Sequence, residues 1–150
     1  MYKLPTNELE KKLESVHPSD INDFYTDNNE ELMDGNRDFM NYMNERLKEK
    51  GLLKKDVYHK ADISLGYGSK LITGEKITKD RDLLLRICYA AGFTLDETQR
   101  ALRLYPIDIL YARNKRDALI ITCFNNRPGD IYDLNEILEN HGMEPLHKPI

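Results

Sequence analysis

Apolar residues recur at helical spacing along most of this chain, and the steps between them divide it into short helices. The clearest segment runs from Lys54 to Gly74, KKDVYHKADISLGYGSKLITG. Its apolar positions Val57, Ala61, Ile63, Tyr67 and Leu71 fall in steps of two or four, which predicts one buried stripe on each of two short helices. Ser64 stands where the second helix begins and can accept its unpaired amide hydrogens, and Gly74 stands where a left-handed stop is expected. A helix, a turn of about four residues and a second helix is the arrangement whose second member lies in the DNA major groove.

The flanks follow the same logic. An acidic lead-in offers Asn7 and Glu10 as a capping pair, with Leu9 and Leu13 on one face. A second helix is expected from Ser19, with Ile21, Phe24, Tyr25 and Leu32 for packing, before DNNEELMDGN breaks the pattern. Asn36 is expected to cap a helix carrying Phe39, Met43 and Leu47, ended by Gly51. After the polar loop EKITKD come Leu83, Leu84, Ile87, Cys88 and Ala91, stopped by Gly92. Thr94 and Glu97 form a capping box for a helix with Leu95, Ala101, Leu102 and Leu104, and Pro106 ends it or opens one more turn through Leu110. The run from Ala118 to Phe124 is apolar on most sides, too short to span a bilayer, and expected to be a central packing helix. Asp130 and Asp133 open a last helix with Ile131, Leu134, Ile137 and Leu138 inward and Gly142 as its stop. No strand pattern and no internal repeat are expected. The reading is all-α, with about eight helices.

The hairpin and its flanks, from Asp38 to Thr98, resemble the lambda-repressor-like, Cro-type helix-turn-helix family (the XRE family). The cues are the lead helix ending in LKEKG, then Val57, Ala61, Ile63, Ser64, Leu71 and Gly74, and the closing pattern LLRICYAAGFTLDET ending its helix at Gly92. YARNKRDALIITCFN, from Tyr111 to Asn125, is a weaker second part of the resemblance. The chain departs from the family at several points. Tyr58 takes a position usually small, Asp62 replaces a turn glycine, Leu53 replaces a polar cap, and Gly66 and Gly68 fall inside the second hairpin helix. With an acidic, partly helical N-terminal arm read at 1–35 and a C-terminal helical extension read at 106–150 and packed on the domain between them, the resemblance implies a five-helix helix-turn-helix domain at 36–105. It also implies a sequence-specific DNA-binding transcriptional regulator that reads the major groove with the helix near residues 64–73.

On that reading the residues facing double-stranded DNA are Lys54 and Lys55, then Ser64, Leu65, Ser69, Lys70 and Thr73, with Lys76 and Lys79 in the next loop. Lysines and hydroxyls suit phosphate oxygens, serine suits several base edges, and Leu65 suits only a thymine methyl. The second hairpin helix holds no Arg, Asn or Gln, the types that make bidentate base contacts. Gly68 is expected to allow close packing between helices. The RNKR cluster at Arg113–Arg116 is either a solvated helix start or a phosphate contact.

Charge sharpens this picture. The net charge is −4, but it is unevenly spread. Residues 1–36 carry three Lys against nine acids, residues 37–127 carry eighteen Lys and Arg against twelve, and residues 128–150 carry one Lys against five. The basic middle coincides with the hairpin. The acidic arm is either a solvated segment docked by a few aromatics or a competitor for the DNA face.

No nucleophile beside a base, phosphate loop or metal spacing was found, so no catalytic role, no metal and no cofactor are expected. Cys88 and Cys123 are expected to be buried, reduced thiols. Without a signal segment or spanning run the protein is expected in the cytoplasm. A homodimer through the C-terminal helices would match a palindromic site. The alternative is a helix-turn-helix fold used as a protein-interaction module with little DNA affinity.

Overall fold

A computed structural model of the chain describes residues 2–32 and 35–149, with the backbone alone at residues 35 and 36. The described residues hold nine α-helices and no strand, so the protein is all-α. None of these helices is long and apolar enough to cross a membrane. The chain divides into two compact units, at residues 1–34 and 35–150.

The first unit carries α1 (Thr6–Glu14) and α2 (Ile21–Asp27), with a single 3-10 turn before and after α2. Its start differs from expectation. Pro5, not Asn7, precedes α1, and no side chain caps it. Proline's fixed φ suits the entry to a helix, and Asn7 falls one residue inside. Within the unit, the Glu31 carboxylate accepts from the amides of Lys3 and Leu4, and Lys12 donates to Asn28 at 3.0 Å.

The second unit has seven helices around one core: α3 (Gly35–Glu49), α4 (Lys54–Lys60), α5 (Leu65–Thr73), α6 (Arg81–Ala90), α7 (Leu95–Leu104), α8 (Lys115–Asn126) and α9 (Ile131–Asn140). The expected cap at Asn36 lies outside the described side chains. The other local signals hold. Ser64 accepts from the Tyr67 amide, Thr94 with Glu97 and Asp130 with Asp133 form capping boxes, and Gly51, Gly74, Gly92 and Gly142 take positive φ. The segment after Pro106 does not turn into helix; 106–111 is an irregular strap whose Leu110 is buried.

The central helix is α6, which differs from the expectation for α8. Every residue from Asp82 to Tyr89 is buried, because α4, α7 and α9 all pack on α6. In α8 only Asp117, Ile120, Cys123 and Phe124 are buried, while Leu119 and Ile121 are half-buried. Cys88 and Cys123 are free and buried, and burial pushes the Cys88 thiol up to about 12.

An internal repeat, not expected from the pattern, spans the last four helices. RDLLLRICY opens α6 and RDALIITCF runs through α8. Each helix ends in a left-handed residue, Gly92 at φ 71° and Arg127 at φ 51°. Each is followed by a capping box, a second helix and a strap that returns to the start of the opposite helix. The packing is reciprocal: α6 lies on α7 and α9, and α8 lies on α9 and α7. One apolar residue anchors each strap, Leu110 in the first and Leu146 in the second, both buried.

Candidate nucleic-acid interface

α4 ends at Ala61 and α5 begins after Ser64, so Asp62 and Ile63 alone lie between the two caps. Asp62 takes φ 57°, the left-handed conformation that the turn needs and that aspartate tolerates better than most residues. Val57, Ala61, Ile63 and Leu71 are buried, and Tyr67 is half-buried. α5 packs against α3 and α4, and α4 packs against α6. The hairpin therefore presents one face to the core and one to solvent.

All nine residues expected at DNA are exposed: Lys54, Lys55, Ser64, Leu65, Ser69, Lys70, Thr73, Lys76 and Lys79. They do not form one uniform set. The Ser64 hydroxyl is committed to capping α5 at 3.2 Å. The Lys76 ammonium lies 5.1 Å from the Tyr67 ring centroid, which holds it beside α5. Lys79 instead lines a cleft with Arg81, Asp108, Ile109 and Tyr111, none of which belongs to the hairpin. A side chain added at Gly66 would meet nothing within 4 Å, so the exposed face of α5 is open there. At Gly68 it would meet the Tyr58 ring at 2.5 Å. Gly68 is thus a packing position, as expected, and Tyr58 is the residue that requires it.

Arg116, part of the RNKR cluster, is not solvated. Its two terminal nitrogens donate to both carboxylate oxygens of Asp82 at 3.1 and 2.8 Å, and it also donates to the Glu144 and Pro145 carbonyls. The reciprocal pair joins Arg81 to Asp117 at 3.1 and 2.5 Å, with Arg81 also donating to the Ile109 carbonyl. Each repeat opens with Arg-Asp, and each pair reaches across to the other. Each aspartate also accepts one strap amide, Tyr111 on Asp117 and His147 on Asp82. Arg113 and Lys115 remain exposed.

The second strap is fastened to the hairpin itself. Arg86, 2% exposed, donates to the Ala61 carbonyl at the end of α4 and to the Leu146 and His147 carbonyls of the strap. Lys148 pairs with Asp62 at 2.5 Å. The contact with Lys148 leads the effects that hold the Asp62 carboxyl below its ordinary value. Burial favours the neutral form of Asp82, but the hydrogen bonds from Arg116 and the His147 amide outweigh it and lower that pKa.

Asp80, Asp82 and His147 bring three potential metal-ligand atoms within 4.8 Å of one another. Both oxygens of Asp82 already serve the Arg116 guanidinium, whose charge opposes a second cation there. The cluster is organised around ion pairs.

Sequence reasoning missed Arg81, Asp82, Arg86, Asp117 and His147. The signal for three of these, Arg81, Asp82 and Asp117, was present as the recurrence of Arg-Asp before an apolar run ending in Cys and an aromatic. Comparison with protein-family models, with curated proteins and with solved structures found no match.

Proposed function

We propose that the chain is a cytoplasmic, sequence-specific DNA-binding regulator of the Cro-type helix-turn-helix family, with α5 entering the major groove. The observation that carries this reading is the hairpin. Two helices meet through a two-residue turn, and Lys54, Lys55, Lys70 and Lys76 stand exposed around an open α5 face. The packing of α3 on α5 and α7 supports this reading, since a five-helix domain is what the resemblance leads one to expect around the hairpin. Lysines anchor phosphates, Ser69 offers a hydroxyl to base edges, Thr73 offers one that also makes long contacts to the Lys70 carbonyl and the Glu75 amide, and Gly66 permits close backbone approach.

Pairing of two chains would suit a two-fold operator. The apolar residues Ile120, Phe124, Leu134 and Leu138 are consumed within the chain, which leaves the half-buried Leu119 and Ile121 of α8 and Ile137 of α9, with the exposed Tyr132, for such pairing.

The second reading is a protein-interaction module. It is favoured by Leu53 and Leu65, both about 60% exposed at the first turns of α4 and α5, where phosphate-binding surfaces are usually polar. A salt titration of binding to random-sequence duplex DNA separates the two. Phosphate-driven binding weakens steeply as salt rises, and an interaction module shows no such binding to weaken.

A further inference from the structure

The two straps differ at the residue whose amide meets the opposite aspartate. In the first, the residue whose amide meets Asp117 is Tyr111, and its side chain is exposed. In the second, the corresponding residue is His147, and its ring is clasped. Nδ1 lies 2.8 Å from an Asp80 oxygen and 3.4 Å from Asp82, and Nε2 lies 3.1 Å from a Glu144 oxygen. An ionised carboxylate only accepts hydrogen bonds, so a ring held at both nitrogens by carboxylates must donate from both. Only the imidazolium does so. The neutral ring turns one lone pair toward a carboxylate, and that contact becomes repulsive.

The strap that His147 holds is also the strap bound to the hairpin turn, through Arg86 and the Lys148–Asp62 pair. We propose that His147 is a proton-operated latch: as an imidazolium it fastens the strap 143–148 to the start of α6 and to the α4–α5 turn, and as a neutral imidazole it releases it. This inference does not depend on what the hairpin binds.

The groups around the ring come from several elements. The α6 cap contributes Asp80, α6 itself contributes Asp82 and the buried Arg86, α8 contributes Arg116, and the strap contributes Glu144 and Lys148. Asp62 from the turn and Glu136 and Glu139 from α9 line the same cleft. Arg116 already pairs with Asp82, so Glu144 and Asp80 are the leading carboxylates that favour the charged ring, and Asp82 adds a smaller attraction. Their hydrogen bonds, Glu144 first and then Asp80, raise the His147 pKa above its ordinary 6.5. The sign follows: the latch is fully engaged below about pH 6.5 and is lost as pH rises through the folded value.

Nuclear magnetic resonance of the whole chain tests this with an internal control. The His147 ring nitrogens report its titration, and amide hydrogen exchange, corrected for its intrinsic pH dependence, reports strap order. The expected result is a titration above 6.5. Protection of the Leu146 and His147 amides should then be lost through the same pH range, with a smaller loss at Ile63 in the turn. The Leu110 and Tyr111 amides of the first strap should stay flat. His147→Gln should remove the pH step, and Glu144→Gln should lower the titration point. A His147 titration at or below 6.5 overturns the latch, as does a step that persists in His147→Gln or appears equally at Leu110 and Tyr111. A strap that releases while Ile63 stays flat overturns the link to the turn.

Discussion

The ring of Tyr58 lies over Gly68, and three of its carbons would be within 2.7 Å of a side chain placed there. Tyr58 is 1% exposed and Gly68 is buried beside it in α5. A large residue in α4 and the absence of a side chain in α5 are two halves of one packing solution. A helix-interior glycine costs roughly 1 kcal/mol relative to alanine. Here that cost is offset by the aromatic surface that Tyr58 removes from water.

The pair should behave as a coupled unit. Gly68→Ala should destabilise the protein, since a buried ring cannot swing aside and overpacking costs roughly 1–3 kcal/mol. In a Tyr58→Ala background the same change should become neutral or stabilising, because the obstruction is gone and alanine favours the helix. A denaturant-melt double-mutant cycle measures the coupling. Additive effects would mean that the ring does not constrain position 68.

The Tyr58 hydroxyl is buried with no hydrogen-bond partner among the described residues, and burial pushes its pKa up to about 12. Tyr58→Phe should therefore be neutral or stabilising, by up to about 1 kcal/mol, since the unpaired polar group disappears while the ring remains. A lower melting temperature for the phenylalanine variant would show that the hydroxyl has a partner.

The crossed Arg-Asp pairs should be costly to break singly. Asp117→Ala leaves the Arg81 guanidinium and the Tyr111 amide without their shared acceptor, an expected loss of about 3 kcal/mol. Removing the charge on both sides, with Arg81→Met and Asp117→Leu together, should recover part of that loss. Urea midpoints of the single and double variants decide it.

Acid should act through Asp82. Its folded pKa lies below the ordinary 3.8, so its contribution is present above that value and is lost as pH falls through the folded one. Asp82→Asn should lower stability at neutral pH and flatten the acid limb of the stability profile. An acid limb of unchanged steepness would assign acid unfolding to other carboxylates.

If the hairpin binds duplex DNA, Lys70→Glu and Lys54→Glu should each weaken binding across all sequences and reduce the salt slope by about 1. Both sites are exposed, so the circular dichroism spectrum should not change. Unchanged affinity in both variants would favour the protein-interaction reading.

Much of this architecture was legible because it is local. Ser64, the Thr94–Glu97 box, the Asp130–Asp133 box and the terminal glycines act within one helical turn, so their residue types and spacing specify helix ends directly. The stripes of α4 and α5 follow from helical periodicity in the same way. The exposure of the eight polar candidate contact residues was legible too, since polar positions opposite a buried stripe or in a polar loop face solvent, and Leu65 is the apolar exception.

Only the tertiary structure decided the rest, because it depends on partners distant in the chain. Arg116 at the start of a helix looks like surface charge until α6 brings Asp82 to it. Arg86 interrupts an apolar run, and nothing near it in sequence reveals the three carbonyls that make its burial tolerable. α8 is the more continuously apolar segment, yet α6 is central, since helices pack on α6 from several sides while α8 keeps a free edge. The Arg-Asp recurrence was visible as letters. Its meaning came from two straps returning to opposite helices, which places each arginine against the other repeat's aspartate.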